Sequence, residues 1–136
     1  MIASVGFKEI IDFVKGKFGA NVNISKASDR ALNIGYKLTV CKLSITEIVV
    51  KISIQEVGND RISLSYECNT GLSLILSGVV SLLNKEIPDA VRVDTEQRYV
   101  QIVPKRIKGL DKALEYLKLS DIIIDDDAIR VIVTAV

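Results

Sequence analysis

Near the start of the chain, apolar residues recur with the period of an α-helix. They are separated by three, four and seven positions, and charged residues occupy the opposite side. This is the pattern of an amphipathic helix that packs one face on a core. Gly19 follows as a typical helix end, so we predict a first helix from about residue 5 to residue 18. Its apolar face comprises Phe7, Ile10, Ile11, Val14 and Phe18.

Between residues 21 and 68 the pattern changes to alternation of apolar and polar positions, which is typical of β-strands with one solvated face. The alternation slips near residues 41–42 and again near residues 46–47. In a continuous strand such slips indicate β-bulges, which would bend the sheet strongly. Residues 58–60 (Gly-Asn-Asp) then predict a hairpin turn into a returning strand.

The segment that follows is almost free of charge. Asn69 or Thr70 can cap a helix, and no charged residue occurs from there until Lys85. A helix that is apolar nearly all round is buried on most sides, and this one is shorter than the roughly 20 residues that cross a bilayer. Its apolar residues are Leu72, Leu74, Ile75, Leu76, Val79, Val80, Leu82 and Leu83.

The second half of the chain predicts two more hairpins and one more helix. Residues 91–103 form the first of these hairpins, with its turn at 94–97, and residues 122–133 form the last, with its turn at 125–127. Between them, helical spacing from Leu110 to Leu117 predicts a third helix. The expected fold is one α+β domain over residues 1–136. It has a curved antiparallel sheet and about three helices, one of them nearly fully apolar and buried.

Charge and composition narrow the functions. With 18 Lys and Arg against 17 Asp and Glu, the chain lacks the positive field that attracts nucleic acid, so we expect no nucleic-acid partner. The first residues show no basic stretch followed by an apolar one, and we therefore predict a cytoplasmic protein. Hydrophobic residues make up 49% of the chain but aromatic ones only 5%, a composition that favours aliphatic strands.

No catalytic group stands out. The chain contains no histidine, so the commonest general base and the Ser-His and Cys-His pairs are absent. Cys41 and Cys68 have no metal-binding spacing. We expect them to be buried thiols, with a disulfide between them as the alternative. Phosphate-binding glycine loops are also missing. The sequence therefore predicts no catalytic residue, no metal site and no cofactor.

Two charged clusters have both an ordinary and a functional interpretation. Residues 125–127 are three aspartates, which we interpret as an acidic hairpin turn because the spacing of a calcium loop is absent. Four cations gather around the start of the third helix, at Lys105, Arg106, Lys108 and Lys112. They are either a solvated face or a peripheral membrane or partner contact that attracts acidic lipid headgroups.

The apolar segment from Thr70 to Lys85, with long strands predicted to bend before and after it, resembles the tubular lipid-binding superfamily in pattern. The likeness spans about Gly35 to Val103 and involves no sequence motif. The resemblance implies a curved sheet that wraps a long helix around a hydrophobic lumen. Domains of this superfamily carry lipids or other apolar molecules.

Two functions compete on these grounds. The leading hypothesis is a non-enzymatic domain that binds a hydrophobic or lipid-like small molecule by excluding water from an aliphatic chamber. The alternative is an interaction or scaffold domain that buries the same apolar surface in a homo-oligomer. The expected ligand-binding residues are Leu72, Ile75, Leu76, Val79 and Leu83.

Overall fold

The computed structural model describes residues 1–19, 21–41, 44–68, 90–94, 96–107 and 109–136. Strands make up 59% of it, in two antiparallel sheets of three and six strands. Two α-helices occur in the described residues, and only one of them is longer than a single turn. The expected α+β fold with about three helices is therefore wrong, although the antiparallel pairing is confirmed.

Within each described range the elements follow one another with short connections. In chain order the strands are β1 (Ile2–Gly6), β2 (Val22–Ser28), β3 (Ala31–Cys41), β4 (Ser44–Val57), β5 (Ile62–Cys68), β6 (Val91–Asp94), β7 (Tyr99–Ile102), β8 (Leu117–Ile124) and β9 (Ala128–Ala135). The helices are α1 (Phe7–Phe18) and α2 (Leu110–Ala113), and a 3-10 turn spans Pro104–Arg106. The small sheet has the order β1-β9-β8, and the large sheet has the order β2-β3-β4-β5-β7-β6.

The first helix is confirmed as α1, but it begins later than predicted. Gly6 is its N-cap, and Gly19 ends it in the left-handed conformation at φ 68°, with its N–H donated to the Lys15 carbonyl at 3.0 Å. The residues before it form β1, which pairs with β9 at the far end of the chain. Helical spacing does not reveal this strand because the pairing is non-local.

The third predicted helix is confirmed over its first four residues and wrong over the remaining four. The helix α2 makes one turn, and the next turn tightens through bonds from the Glu115 N–H to the Lys112 carbonyl and from the Tyr116 N–H to the Ala113 carbonyl. Leu117 then begins β8 opposite Ala135 of β9. The strand ladder outweighs the helical spacing of a few leucines, since propensity is a weak prior against tertiary pairing.

The two bulges predicted in a continuous strand have different outcomes, and the stretch forms two strands, β3 and β4. Beside the first predicted slip, the β3–β4 register shifts between Thr39 and Cys41, and Cys41 then pairs with Ser44. Near residues 46–47 the β3–β4 pairing is regular. The second predicted bulge is therefore wrong, and a further register shift occurs between Ile54 and Glu56 of β4. By contrast, the three predicted hairpins are confirmed as β4–β5, β6–β7 and β8–β9.

A small core joins the two sheets. Phe7 of α1, Leu32 of β3 and Ile124 of β8 are buried together, so helix, large sheet and small sheet meet at one point. Alternating residues of the paired strands share a face, and the apolar face of the large sheet is the one that meets this core. The half-buried residues packed around it are Ile24, Ile34, Ile52, Ile54 and Ile129.

Candidate functional site: the two edges of the small sheet

The small sheet ends in two edge strands, β8 on one side and β1 on the other. An edge strand presents backbone N–H and C=O groups that lack a neighbouring strand. Proteins cover or blunt such edges, because an open one can pair with another polypeptide. In the described part of the chain, turns of the large sheet cover β8, whereas β1 is left uncovered.

The turn between β4 and β5 covers one end of β8. Asn59 lies in that turn, and its side-chain amide donates to the Leu117 carbonyl at 2.9 Å, while its Oδ1 accepts the Leu119 N–H at 2.7 Å. One amide side chain thus satisfies a donor and an acceptor of the strand, as a neighbouring strand would. The sequence signalled a turn at this position but not its contact with β8.

The turn between β2 and β3 covers the other end of β8. The Asp29 carbonyl accepts the Ile124 N–H at 2.9 Å, and Arg30 donates to the Ile122 carbonyl at 3.3 Å. Arg30 also forms a two-pronged ion pair with Asp121, in which Nη2 lies 3.1 Å from Oδ2 and Nη1 contacts Oδ1. We call the outward backbone groups of Leu117, Leu119, Ile122 and Ile124 the β8 edge; both of its ends are capped by turns of the large sheet.

A lysine supports the second of these turns. Lys26 Nζ lies 3.0 Å from Asp29 Oδ1. The hydrogen bond with the Asp29 side chain raises the pKa of Lys26, and the nearby negative charges of Asp126 and Asp125 act in the same direction. Asp125 is itself paired with Arg130. These contacts suit an acidic turn held by neighbouring cations, and in the described part of the chain no group of three metal-ligating side chains is present.

Strand β1 has its inner groups paired and its outer groups unpaired. Met1 and Val133 exchange backbone hydrogen bonds at 3.0 and 2.9 Å, and the Phe7 N–H donates to the Asp127 carbonyl at 2.8 Å. Because alternate residues of a strand direct their backbone groups to opposite sides, odd-numbered residues face β9 and even-numbered ones face outward. The N–H and C=O groups of Ile2 and Ser4, which we call the β1 edge, have no partner among the described residues.

The side chains of β1 leave this edge open. Ile2 is 61% exposed and Val5 is 40% exposed, and Ala3 and Ser4 are exposed as well. No charged side chain occurs from residue 1 to residue 7. The Gly6 N–H reaches only the Glu9 carboxylate, at 3.4 Å. Lysine, proline or a covering loop would normally protect such a strand. Residues 2–6 contain neither lysine nor proline, and no loop among the described residues covers β1.

The edges of the large sheet are better protected. Strand β2 carries Lys26 and lies beside α1, and β6 has only four residues, of which Arg92 and Asp94 are charged. Charge and short length are both devices that discourage unwanted strand pairing. Among the strands that the structure describes, β1 is therefore the edge best suited to receive another strand. The sequence signal was the absence of charge from residue 1 to residue 7, and we assigned no element to its first four residues.

The predicted site residues are distributed differently. Leu72, Ile75, Leu76, Val79 and Leu83, with the helix predicted to carry them, lie outside the described residues. Of the basic cluster, Lys108 is also outside them. Lys105 forms an ion pair with Asp60 at 3.0 Å, Arg106 lies in the 3-10 turn and Lys112 lies in α2. The membrane contact of these cations stays a prediction. No helix in the described ranges has the length and apolarity needed to span a membrane.

An open recess of about 690 Å³ lies beside the Asn59 turn. Six of the eight residues that line it are polar or charged, and four of these form two ion pairs, Lys105 with Asp60 and Arg61 with Glu56 at 3.2 Å. A lipid chamber has a predominantly apolar lining, so this recess is not the aliphatic chamber expected from the sequence. The lining residues are Glu56, Gly58, Asn59, Asp60, Arg61, Lys105, Lys118 and Val136.

Comparison with protein-family models, with curated proteins and with solved structures found no match for this chain.

Proposed function

We propose that this chain is a protein-interaction domain that binds an extended polypeptide segment along the β1 edge. The observation that carries the proposal is the row of outward N–H and C=O groups of Ile2 and Ser4, exposed and unpaired within the described part of the chain. An added strand would satisfy these groups and extend the small sheet by one strand. This mode of recognition draws affinity from main-chain hydrogen bonds and selectivity from side chains on the two faces.

The side chains around the β1 edge suit an uncharged, partly apolar strand. Val5 and Ala3 lie on the face of the small sheet that continues into Ile129 and Ile124 of the core, since these positions pair across the sheet. Ile2 lies on the opposite face beside Ile132. Apolar side chains of a bound strand would lie beside apolar neighbours on both faces, and each buried methylene stabilises the complex by about 0.8 kcal/mol.

This proposal belongs to the interaction class that the sequence analysis gave as its alternative, but the surface is different. The apolar surface expected to carry a lipid or an oligomer contact lies within residues 69–89, outside the described residues. Binding of a hydrophobic small molecule therefore stays a prediction. The proposed interaction depends instead on a strand that the sequence did not reveal.

The test uses a soluble peptide of alternating threonine and valine, with a lysine at each end, titrated against the dilute protein. Backbone amide signals are followed by NMR. We expect shifts and slower hydrogen exchange at the Ile2 and Ser4 amides, because both N–H groups gain acceptors. Unchanged signals at both amides up to millimolar peptide would refute the proposal.

Two substitutions at the same residue provide the control. Ser4→Pro removes the outward N–H and should abolish the peptide-induced shifts, since proline cannot donate a hydrogen bond. Ser4→Ala keeps that N–H, loses only the hydroxyl, and should bind as the unsubstituted chain does. Equal binding by Ser4→Pro and Ser4→Ala would place the peptide elsewhere on the molecule.

A further inference from the structure

We infer that the strand which occupies the β1 edge is β1 of a second copy of this chain, paired antiparallel about a two-fold axis at Ala3. This inference rests on the proposed function and names its partner. It would join two small sheets into one continuous sheet with the order β8-β9-β1-β1-β9-β8. Such an interface is isologous, because the same patch serves both copies.

The hydrogen-bonding groups select this register. With the axis at Ala3, Ile2 of one copy lies opposite Ser4 of the other, and these two residues exchange N–H to C=O bonds in both directions. The two-fold axis generates the same pair of bonds between Ser4 of the first copy and Ile2 of the second. All the unpaired outward groups of Ile2 and Ser4 are used. Gly6 keeps its Glu9 contact. An axis at Ser4 would instead require the Gly6 groups, which lie at the start of α1.

The side chains fit the same register. Residues opposite each other without mutual hydrogen bonds approach to a Cα separation of about 4.5 Å, and the residue at the axis is Ala3, whose side chain is small enough for that spacing. The flanking pair is Val5 against Met1 of the other copy. These two side chains are apolar and exposed, at 40% and 80%. No like charges meet, because residues 1–7 carry no charged side chain.

The small contact area limits the affinity expected for the dimer. Stable dimers generally bury at least about 1,200 Å² in total, and a contact between two five-residue strands is smaller than that. We therefore expect dimers that form and dissociate with concentration. A reporter that traps the pair is more suitable than one that requires a long-lived complex.

Cysteine cross-linking tests both the partner and the register. In the proposed dimer the two Ala3 Cα atoms are about 4.5 Å apart, within the range of about 4.4–6.8 Å that a disulfide spans. Two Ser4 Cα atoms are offset along the strands and lie about 8 Å apart, beyond the reach of a disulfide. Mild oxidation should therefore link the Ala3→Cys chain at least about tenfold faster than the matched Ser4→Cys chain.

The unsubstituted chain, oxidised in parallel, reports any linkage through Cys41 and Cys68. Thermal unfolding of both variants checks that each keeps the fold. Linkage of Ala3→Cys at the rate of the unsubstituted chain would overturn the inference, as would faster linkage of Ser4→Cys.

The peptide titration distinguishes failure of the proposed β1-edge interaction from failure of the proposed dimer. Peptide-induced shifts at Ile2 and Ser4 without Ala3→Cys linkage would leave the interaction edge standing and refute the second copy as its partner. If neither result appears, both the proposed function and this inference fail. Linkage of Ala3→Cys that the threonine-valine peptide slows in proportion to its concentration is the expected result, because both strands then compete for one edge.

Discussion

The two outer strands of the small sheet belong to the same three-stranded ladder and differ in what covers them. On β8, Asn59 caps the Leu117 and Leu119 groups, and the turn at Asp29 and Arg30 caps the other end. On β1, the outward groups of Ile2 and Ser4 meet no partner in the described part of the chain. Uncovered edges are a liability that proteins usually remove, so the contrast supports a structural role for the β8 edge and the proposed interaction role for the β1 edge.

The difference also shows how the two sheets are held together. Backbone pairing operates within each sheet, while contacts between the sheets in the described part of the chain include a small core and the turn contacts on the β8 edge. The turns of the large sheet therefore have two roles, since they protect the β8 edge and dock one sheet on the other. Breaking a cap should weaken the whole domain, whereas changing the β1 edge should not.

The largest expected effect is that of Asn59→Ala. It leaves the Leu119 N–H and the Leu117 carbonyl without their partners, and an unsatisfied, partly buried backbone group costs about 1–3 kcal/mol. We expect the free energy of unfolding to fall by about 2 kcal/mol, as measured by urea denaturation.

Asn59→Asp is the matched control. Its carboxylate can still accept the Leu119 N–H but cannot donate to the Leu117 carbonyl, so its loss should be intermediate. Equal stability of Asn59→Ala and the unsubstituted chain would show that the β8 edge does not depend on this turn.

A smaller effect is expected from the Arg30 and Asp121 pair. The geometry is two-pronged, which strengthens the interaction, but the side chains are 53% and 31% exposed, so solvent screens them. A double-mutant cycle with Arg30→Met and Asp121→Asn should give a coupling energy of about 0.5–1 kcal/mol in low salt. The coupling should shrink at molar salt. A salt-independent value would indicate that packing, and not charge, holds the turn.

Part of this contrast could be predicted from the sequence. The helix at Phe7 to Phe18 and the three hairpins were predictable because their signals, helical period and turn residues, are local. The sequence also marked a turn at Asn59. It could not show that Asn59 would bond Leu119, which lies 60 residues further along the chain. Non-local contacts of this kind leave no periodic trace.

The wrong predictions have the same origin. Leu117 has helical spacing to Leu114 and also alternates with Leu119, and only its pairing with Ala135 decides for a strand. Strand β1 was missed because its few residues run directly into α1. The candidate interaction edge was therefore hidden at the junction of two elements, in a stretch without charge and without a turn residue to mark it.

A still smaller change in folding stability is expected for Lys26, which pairs with Asp29 in the turn that contacts β8. The folded state raises the pKa of Lys26 above its ordinary value of 10.5. The protonated lysine therefore binds more favourably in the folded chain than in the unfolded one. That contribution is fully present below pH 10.5 and is lost as the pH rises through the folded-state pKa.

Urea denaturation at a series of alkaline pH values measures this effect as the stability difference between the unsubstituted chain and Lys26→Met. We expect the difference to be constant at neutral pH and to decline above pH 10.5. Lys8→Met, on the exposed face of α1, is the control for general effects of removing a lysine. A Lys26→Met difference that grows with alkaline pH would contradict the assigned direction.

The smallest expected change in stability is at the β1 edge, and it distinguishes the two edges most sharply. Ser4→Pro removes an N–H that has no partner in the folded chain, and proline is tolerated on an edge where the N–H faces solvent. The free energy of unfolding should change by no more than about 0.5 kcal/mol. Ala3→Pro is the matched control on the same strand. Its N–H faces β9, so the loss of a ladder bond should cost about 1–3 kcal/mol.

The same two substitutions would contradict the comparison of the two edges if the order of their effects on the free energy of unfolding were reversed. A large loss for Ser4→Pro with little loss for Ala3→Pro would mean that Ser4 faces β9 and that the free edge is formed by the odd-numbered residues. With the expected order, Ser4→Pro becomes a chain of unchanged stability whose edge cannot receive a strand, because the missing donor and the proline ring both oppose pairing. Any partner lost by that chain alone is then a partner of the β1 edge and not a consequence of unfolding.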